Sequence, residues 1–151
     1  MSARSPSLGR RVDVTLILDT GPVLAALDAA DRDHARCASL LVEAKEDLVV
    51  PGLVLGELDY WCDKRLELPA WLTFLDDVRD GAYRVECPTL EDLERCRVLQ
   101  QEYADLRLGV VDASVVALAE RLGEPKLATL DRRHFTVVRP THVVALELLP
   151  Q

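Results

Sequence analysis

The sequence predicts an α/β fold, a parallel sheet covered by helices on both faces, and three observations lead there. Short apolar runs, such as those at 14–18 and 127–130, alternate with longer segments of helical period. Those runs are continuously apolar rather than alternating, as expected of strands buried on both faces. The chain has 151 residues, 49% hydrophobic and 29% charged, which fits one folded domain.

The elements follow in order. Residues 1–11 carry Ser, Pro, Gly and three Arg without periodicity and are expected to form a flexible tail, with one domain over 12–151. A first strand is expected at 12–18, broken by Asp19-Thr20-Gly21-Pro22, with a short helix at 23–27. Asp33 can open a helix to Ala44 with Leu40 and Leu41 inward, and a strand at 48–50 stops at Pro51-Gly52. Residues 53–66 read as a helix, and Pro69 suits the first turn of another over 70–78. Asp80-Gly81 turns into a strand at 83–85, and Thr89-Leu90-Glu91-Asp92 resembles a capping box for a helix reaching Tyr103. The helix at 110–122 ends at Gly123, and strands are expected at 126–130, 136–138 and 143–148.

Composition excludes several functions. With 26 acidic against 18 basic residues the net charge is −8, so a module that binds nucleic acid through a general basic surface is disfavoured. An enzyme whose bound cation meets the phosphate is not excluded. No apolar run reaches the roughly 18 residues of a membrane span, and the N-terminus lacks a signal-peptide core, so a cytoplasmic protein is expected. Cys37, Cys62, Cys87 and Cys96 form no CxxC pair and, with three histidines, no zinc spacing; they are expected to be small buried hydrophobes. Aromatic residues make up 5%, so no platform for stacking RNA bases is evident.

The chemistry lies in acids placed where a carboxylate is costly. Asp19 and Asp131 each end an apolar run, and in a parallel sheet ligands bind beyond the carboxyl ends of the strands. On the helix at 110–122, the helical angle puts Asp112 in the inward arc with Val111, Val115, Leu118, Ala119 and Leu122, leaving Ser114, Ala117, Glu120 and Arg121 outside it. Glu57 has Leu53, Tyr60 and Trp61 as its helical neighbours and no basic residue at pairing distance. Singly, each has a structural explanation as a helix cap, a dipole partner or a turn former. Together they converge on one edge, where only a shared cation or protonation relieves their repulsion, and oxygen ligands suit Mg²⁺ or Mn²⁺.

Four motifs in order carry a family resemblance: Val14-Thr15-Leu16-Ile17-Leu18-Asp19-Thr20, the Glu57 helix, Leu108-Gly109-Val110-Val111-Asp112-Ala113-Ser114, and Ala128-Thr129-Leu130-Asp131-Arg132-Arg133-His134-Phe135. They resemble the motifs of PIN domains, and most of all the VapC toxins of bacterial VapBC toxin–antitoxin systems. The resemblance implies a three-layer α/β/α sandwich around a mostly parallel sheet and a Mg²⁺- or Mn²⁺-dependent endoribonuclease. It also implies a VapB-like antitoxin partner and a homodimer. On this basis Asp19 and Asp112 are the main metal ligands, and Glu57 and Asp131 complete the pocket, orient water or hold a second ion. The Thr20 and Thr129 hydroxyls are candidates to support them. Asp105 is expected to cap or support the stretch before the 110–122 helix, and His134, beside Arg132-Arg133, to lie on the surface or touch RNA. Trp61, Trp71 and Phe74 are expected in the core or along a groove for a partner helix.

Two other functions compete. A non-catalytic PIN-like module binding RNA or protein would keep the fold without the reaction, but the intact acids argue against it. A phosphatase using Asp19 as nucleophile is poorly supported, because Gly21 stands where a second acid would be expected.

Overall fold

The computed structural model describes residues 14–151; the expected tail at 1–11 and the start of the first strand lie outside them. The described residues form five strands and seven α-helices. The strands β1 (Thr15–Leu18), β2 (Asp47–Pro51), β3 (Arg84–Glu86), β4 (Lys126–Ala128) and β5 (Glu147–Leu149) make one sheet of order β3-β2-β1-β4-β5. Every pairing is parallel, so each strand needs a crossover, and helices supply it.

The helices are α1 (Thr20–Leu27), α2 (His34–Glu43), α3 (Gly52–Arg65), α4 (Leu68–Arg79), α5 (Leu90–Glu102), α6 (Val110–Leu122) and the single turn α7 (Arg132–Phe135). The sheet grows from central β1 in both directions. Right-handed crossovers running opposite ways lie on opposite faces. Accordingly α1 packs on α2 and α3, and α3 on α4, while α5 and α6 pair with each other. The core lies between these layers: β1 is buried throughout, Val49 and Val50 are fully covered, and Phe74 and Phe135 are its largest side chains.

Most expected elements are present, and the departures have local causes. Helix α1 starts at Thr20, not at 23, because Gly21 and Pro22 fall in its first turn, where amides have no intrahelical acceptor. The capping box is real: the Asp92 amide donates to Thr89 Oγ1 (3.0 Å) and the Thr89 amide to Asp92 Oδ2 (3.1 Å). The strand expected at 136–138 is not one. The Asp131 carboxylate accepts from the His134 amide and opens α7, and the Val137 and Val138 amides both turn back to the His134 carbonyl (3.1 Å). The last strand sits later than expected, at Glu147–Leu149, because Leu127 pairs with Leu148. Helix α6 has no polar flank in its middle. Ala113 through Ala119 are all buried, Ser114 and Ala117 included, since α5 covers the side expected to face water.

Cys37, Cys62 and Cys96 are buried as expected, and burial pushes the Cys37 thiol up to about 11; Cys87 is exposed, contrary to expectation. Phe74 enters the core and Trp71 packs against it, but Trp61 does not. Among the described residues, no helix is long and apolar enough to cross a membrane.

Candidate acidic active site

The topology brings the four acids to one edge. Asp19 follows β1, the strand from which the sheet grows both ways, and its amide donates to the Ala128 carbonyl at the end of β4 (2.9 Å). Crevices form at such switch points, beyond strand carboxyl ends. Helix α3 leaves the same edge of β2, placing Glu57 in its second turn. Helix α6 returns toward β4, so its first turn, with Asp112, also lies at this edge. Asp19, Thr20, Gly21, Leu24, Glu57, Trp61, Arg65, Asp112, Leu130 and Asp131 line one cleft of about 460 Å³.

Asp19 is 5% exposed and makes no capping bond to α1, although it stands at the N-cap position. Its carboxylate turns instead to Thr129, whose hydroxyl donates to Oδ2 at 2.8 Å. Burial raises Asp19 to about 6 against the opposing Thr129 bond, and the Glu57 and Asp131 charges add to the rise. Asp112 is raised to about 7, first by burial and then by the charges of Asp19 and Asp131. Both carboxyls are therefore held in a site that disfavours their charge, with no lysine or arginine bound to either among the described residues.

Asp131 has two jobs. It caps α7 through the His134 amide (3.1 Å), and its Oδ2 lies 2.6 Å from His134 Nδ1. The same Nδ1 is 3.5 Å from Asp112 Oδ2. Ligand atoms of Asp112, Asp131 and His134 all fall within 4.8 Å of one another. Asp19 and Glu57 line the cleft beside that group rather than within it. The hydrogen bond that His134 donates to the Asp131 carboxylate raises its pKa, and the Asp112 charge and the Leu106 carbonyl contribute. His134, expected on the surface, is thus part of the cluster. The legible signal was its position three residues after Asp131, the spacing that lets a capping aspartate meet a side chain in the first turn.

Thr129 also receives the Asp131 amide (3.0 Å), so its single hydroxyl ties Asp19 to the chain that carries Asp131. The Thr20 hydroxyl is buried in the cleft wall without a hydrogen-bond partner among the described residues. Asp105 is exposed on the 3₁₀ turn Ala104–Leu106; neither this turn nor α6 has a side-chain cap, so the expected capping role is absent. Among the cleft residues not anticipated as such are Trp61 and Arg65, which follow Glu57 at i+4 and i+8 on α3.

Chemically, this is an oxygen-donor pocket of carboxylates with raised affinity for protons, plus one unpartnered buried hydroxyl. Such a donor set fits a hard divalent cation, which would replace the protons and offset the repulsion.

The family model for the PIN domain matches residues 16–139, spanning all four acids. The chain belongs to the PIN-domain family. Ribonuclease VapC26 of Mycobacterium tuberculosis is 36% identical over 125 residues, covering 83% of this chain and 93% of its own length. Three solved structures share the fold at lower identity. The M. tuberculosis toxin VapC20, described as cleaving the sarcin–ricin loop, superposes with a TM-score of 0.76 at 20% identity, covering 86% of this chain and 99% of its own. VapBC2 of Rickettsia felis, bound to a promoter DNA fragment, gives 0.65 at 17%, covering 91% and 100%. A Klebsiella pneumoniae toxin–antitoxin complex gives 0.62 at 18%, covering 82% and 92%. The PIN-type α/β/α sandwich expected from the four motifs is therefore the fold of this chain, with its sheet wholly parallel.

Proposed function

We propose that this PIN domain is a metal-dependent endoribonuclease of the VapC type, the toxin of a toxin–antitoxin pair. The observation that carries the reading is the pair Asp19 and Asp112, raised to about 6 and about 7 in one cleft with no lysine or arginine bound to either among the described residues. The 36% identity to a VapC ribonuclease over most of both chains supports RNA as substrate. The toxin–antitoxin complexes among the structural neighbours support a VapB-like antitoxin as partner. A homodimer follows from the family resemblance alone.

Asp19 and Asp112 are the main ligands of Mg²⁺ or Mn²⁺ in this proposal, with Glu57 and Asp131 completing the pocket. The bound ion would polarise a phosphodiester and lower the pKa of a water that attacks phosphorus. The chain's own residues do the rest. Thr129 fixes the rotamer of Asp19 while holding the Asp131 backbone. His134, when protonated, places a positive charge between Asp131 and Asp112 and so keeps two like charges near each other. Burial removes water that would otherwise screen the acids, which sharpens their preference for a cation over solvent.

The test is incubation of purified protein with structured RNA in Mn²⁺, Mg²⁺ or EDTA, beside Asp112→Asn. Cleavage that requires metal and vanishes in the near-isosteric variant is the expected result. Cleavage that survives EDTA or the substitution would place the activity elsewhere.

A further inference from the structure

We propose that Trp61 and Arg65 form a nucleotide subsite beside the carboxylates, Trp61 stacking on a base of single-stranded RNA and Arg65 pairing with a phosphate of the same strand. The proposal rests on the nuclease reading above and names the part of the cleft that holds the strand.

Three observations lead to it. The first is register. Glu57, Trp61 and Arg65 stand four residues apart on α3 and all line the cleft. At 1.5 Å per residue, Trp61 lies about 6 Å and Arg65 about 12 Å beyond Glu57 along the helix axis, within reach of nucleotides adjoining one held at the acids.

The second is the state of the indole. Trp71 and Phe74 stack at 5.6 Å and belong to the core, whereas Trp61 remains 41% exposed. Its ring is braced edge-on by Tyr60, with centroids 5.2 Å apart and planes at 82°. An indole steadied at its edge and open toward an acidic cleft has the form of a stacking surface for a base, whose π-face is the same for every sequence. The low aromatic content argued against a platform of several rings; one ring placed by α3 is enough for one base.

The third is the guanidinium. Among the described residues, Arg65 is the sole lysine or arginine lining the cleft. It is held by Asp28 (2.9 Å) and Asp31 (2.8 Å) on the loop between α1 and α2. Both bonds use Nη2, leaving Nε and Nη1 without a partner among the described residues. A guanidinium anchored through Nη2 keeps Nε–H and Nη1–H for single hydrogen bonds to phosphate oxygens, since both two-nitrogen edges of the fork include Nη2.

The experiment separates this subsite from the nuclease assignment. Trp61→Leu, Trp61→Phe and wild type are compared for cleavage of a labelled RNA in Mn²⁺. The expected result is a KM raised roughly tenfold by Leu, about the loss of one base–aromatic stack, restored by Phe, with kcat little changed. Independently, in a Trp71→Phe background where Trp61 is the only tryptophan, oligoadenylate is titrated in EDTA and Trp61 emission is read. Quenching that saturates, and a salt slope reduced by about 1 in Arg65→Gln, support the subsite. An unchanged KM in Trp61→Leu, or emission unmoved by oligoadenylate to its solubility limit, overturns it while metal-dependent cleavage leaves the nuclease standing. Loss of cleavage from every form with Trp61 still quenched would sink the nuclease reading and not the subsite. Normal KM with loss of antitoxin binding in Trp61→Leu would assign this face to protein and overturn the proposal.

Discussion

The two ends of α6 treat carboxylates in opposite ways. At its C-terminal end the acids are neutralised by the protein itself. Glu120 takes two bonds from Arg95 (2.8 and 2.9 Å), and Asp92, 5% exposed, takes the Arg121 guanidinium (3.0 Å) and the Thr89 amide. At the N-terminal end Asp112 meets Asp131, feels Asp19 and Glu57, and among the described residues has only His134 as a conditional cation. The same helix thus carries a finished ion-pair network at one end and an unfinished one at the other. What the difference teaches is that burial alone does not mark a functional acid, since Asp92 is as buried as Asp19. The mark is burial without a counter-charge, which leaves room for a cation from solution.

The sharpest way to break the comparison is Asp112→Asn. It should lower metal-dependent cleavage by more than about 100-fold, beyond what loss of an outer partner costs a metal site. It should also raise the melting temperature of the metal-free protein at neutral pH, because it removes a repelled charge. If activity persists, the acidic end is as structural as the other.

Thr129→Val comes next. It keeps the volume but removes the bond to Asp19 and the acceptor for the Asp131 amide. Mn²⁺ affinity, measured by calorimetry, should fall roughly 10- to 100-fold with little change in fold.

The contrasting substitution is Arg121→Leu. Asp92 would then keep its Thr89 amide and lose its cation, at a cost of about 1–3 kcal/mol, the lower range for a pair with one partner partly in water. At roughly 2–4 °C per kcal/mol for a chain of this size, the melting temperature should drop measurably while Mn²⁺ affinity holds.

The smallest effect is the pH profile, and its sign separates the two ends. Asp19 and Asp112 sit near 6 and 7, above the ordinary 3.8, so the folded state binds their protons more tightly than the unfolded chain. Their contribution is fully present below about pH 4 and is lost as pH rises through 6 and 7. His134, also raised, acts in the same direction. The metal-free protein should therefore lose melting temperature from about pH 5 to pH 8. Saturating Mn²⁺ should return more at pH 8, where no proton is displaced, than at pH 5. A flat profile without metal would mean that the acidic end is already compensated.

Much of this was legible along the chain. The continuous apolar runs placed β1, β2 and β4, and the capping box at Thr89 and the stop at Gly123 bounded α5 and α6. Position marked the acids: Asp19 at a strand end, Asp112 in an inward arc, Glu57 without a basic neighbour. The 136–138 segment misled because Thr-Val-Val carries strand propensity, and the Asp131 cap on a single turn overrides it.

The sequence by itself determined most of the elements, the parallel α/β class and the placing of four acids toward one sheet edge, because periodicity and strand-end position are set by covalent spacing. Tertiary structure decided the partners. The sheet order β3-β2-β1-β4-β5 sets β4 beside β1, which alone lets Thr129 reach Asp19 across 110 residues. The turn α7 set His134 within 3.5 Å of Asp112, α5 buried Ser114, and the α1–α2 loop caught Arg65. Such contacts depend on which surfaces remain once the core has closed, and no local pattern encodes that.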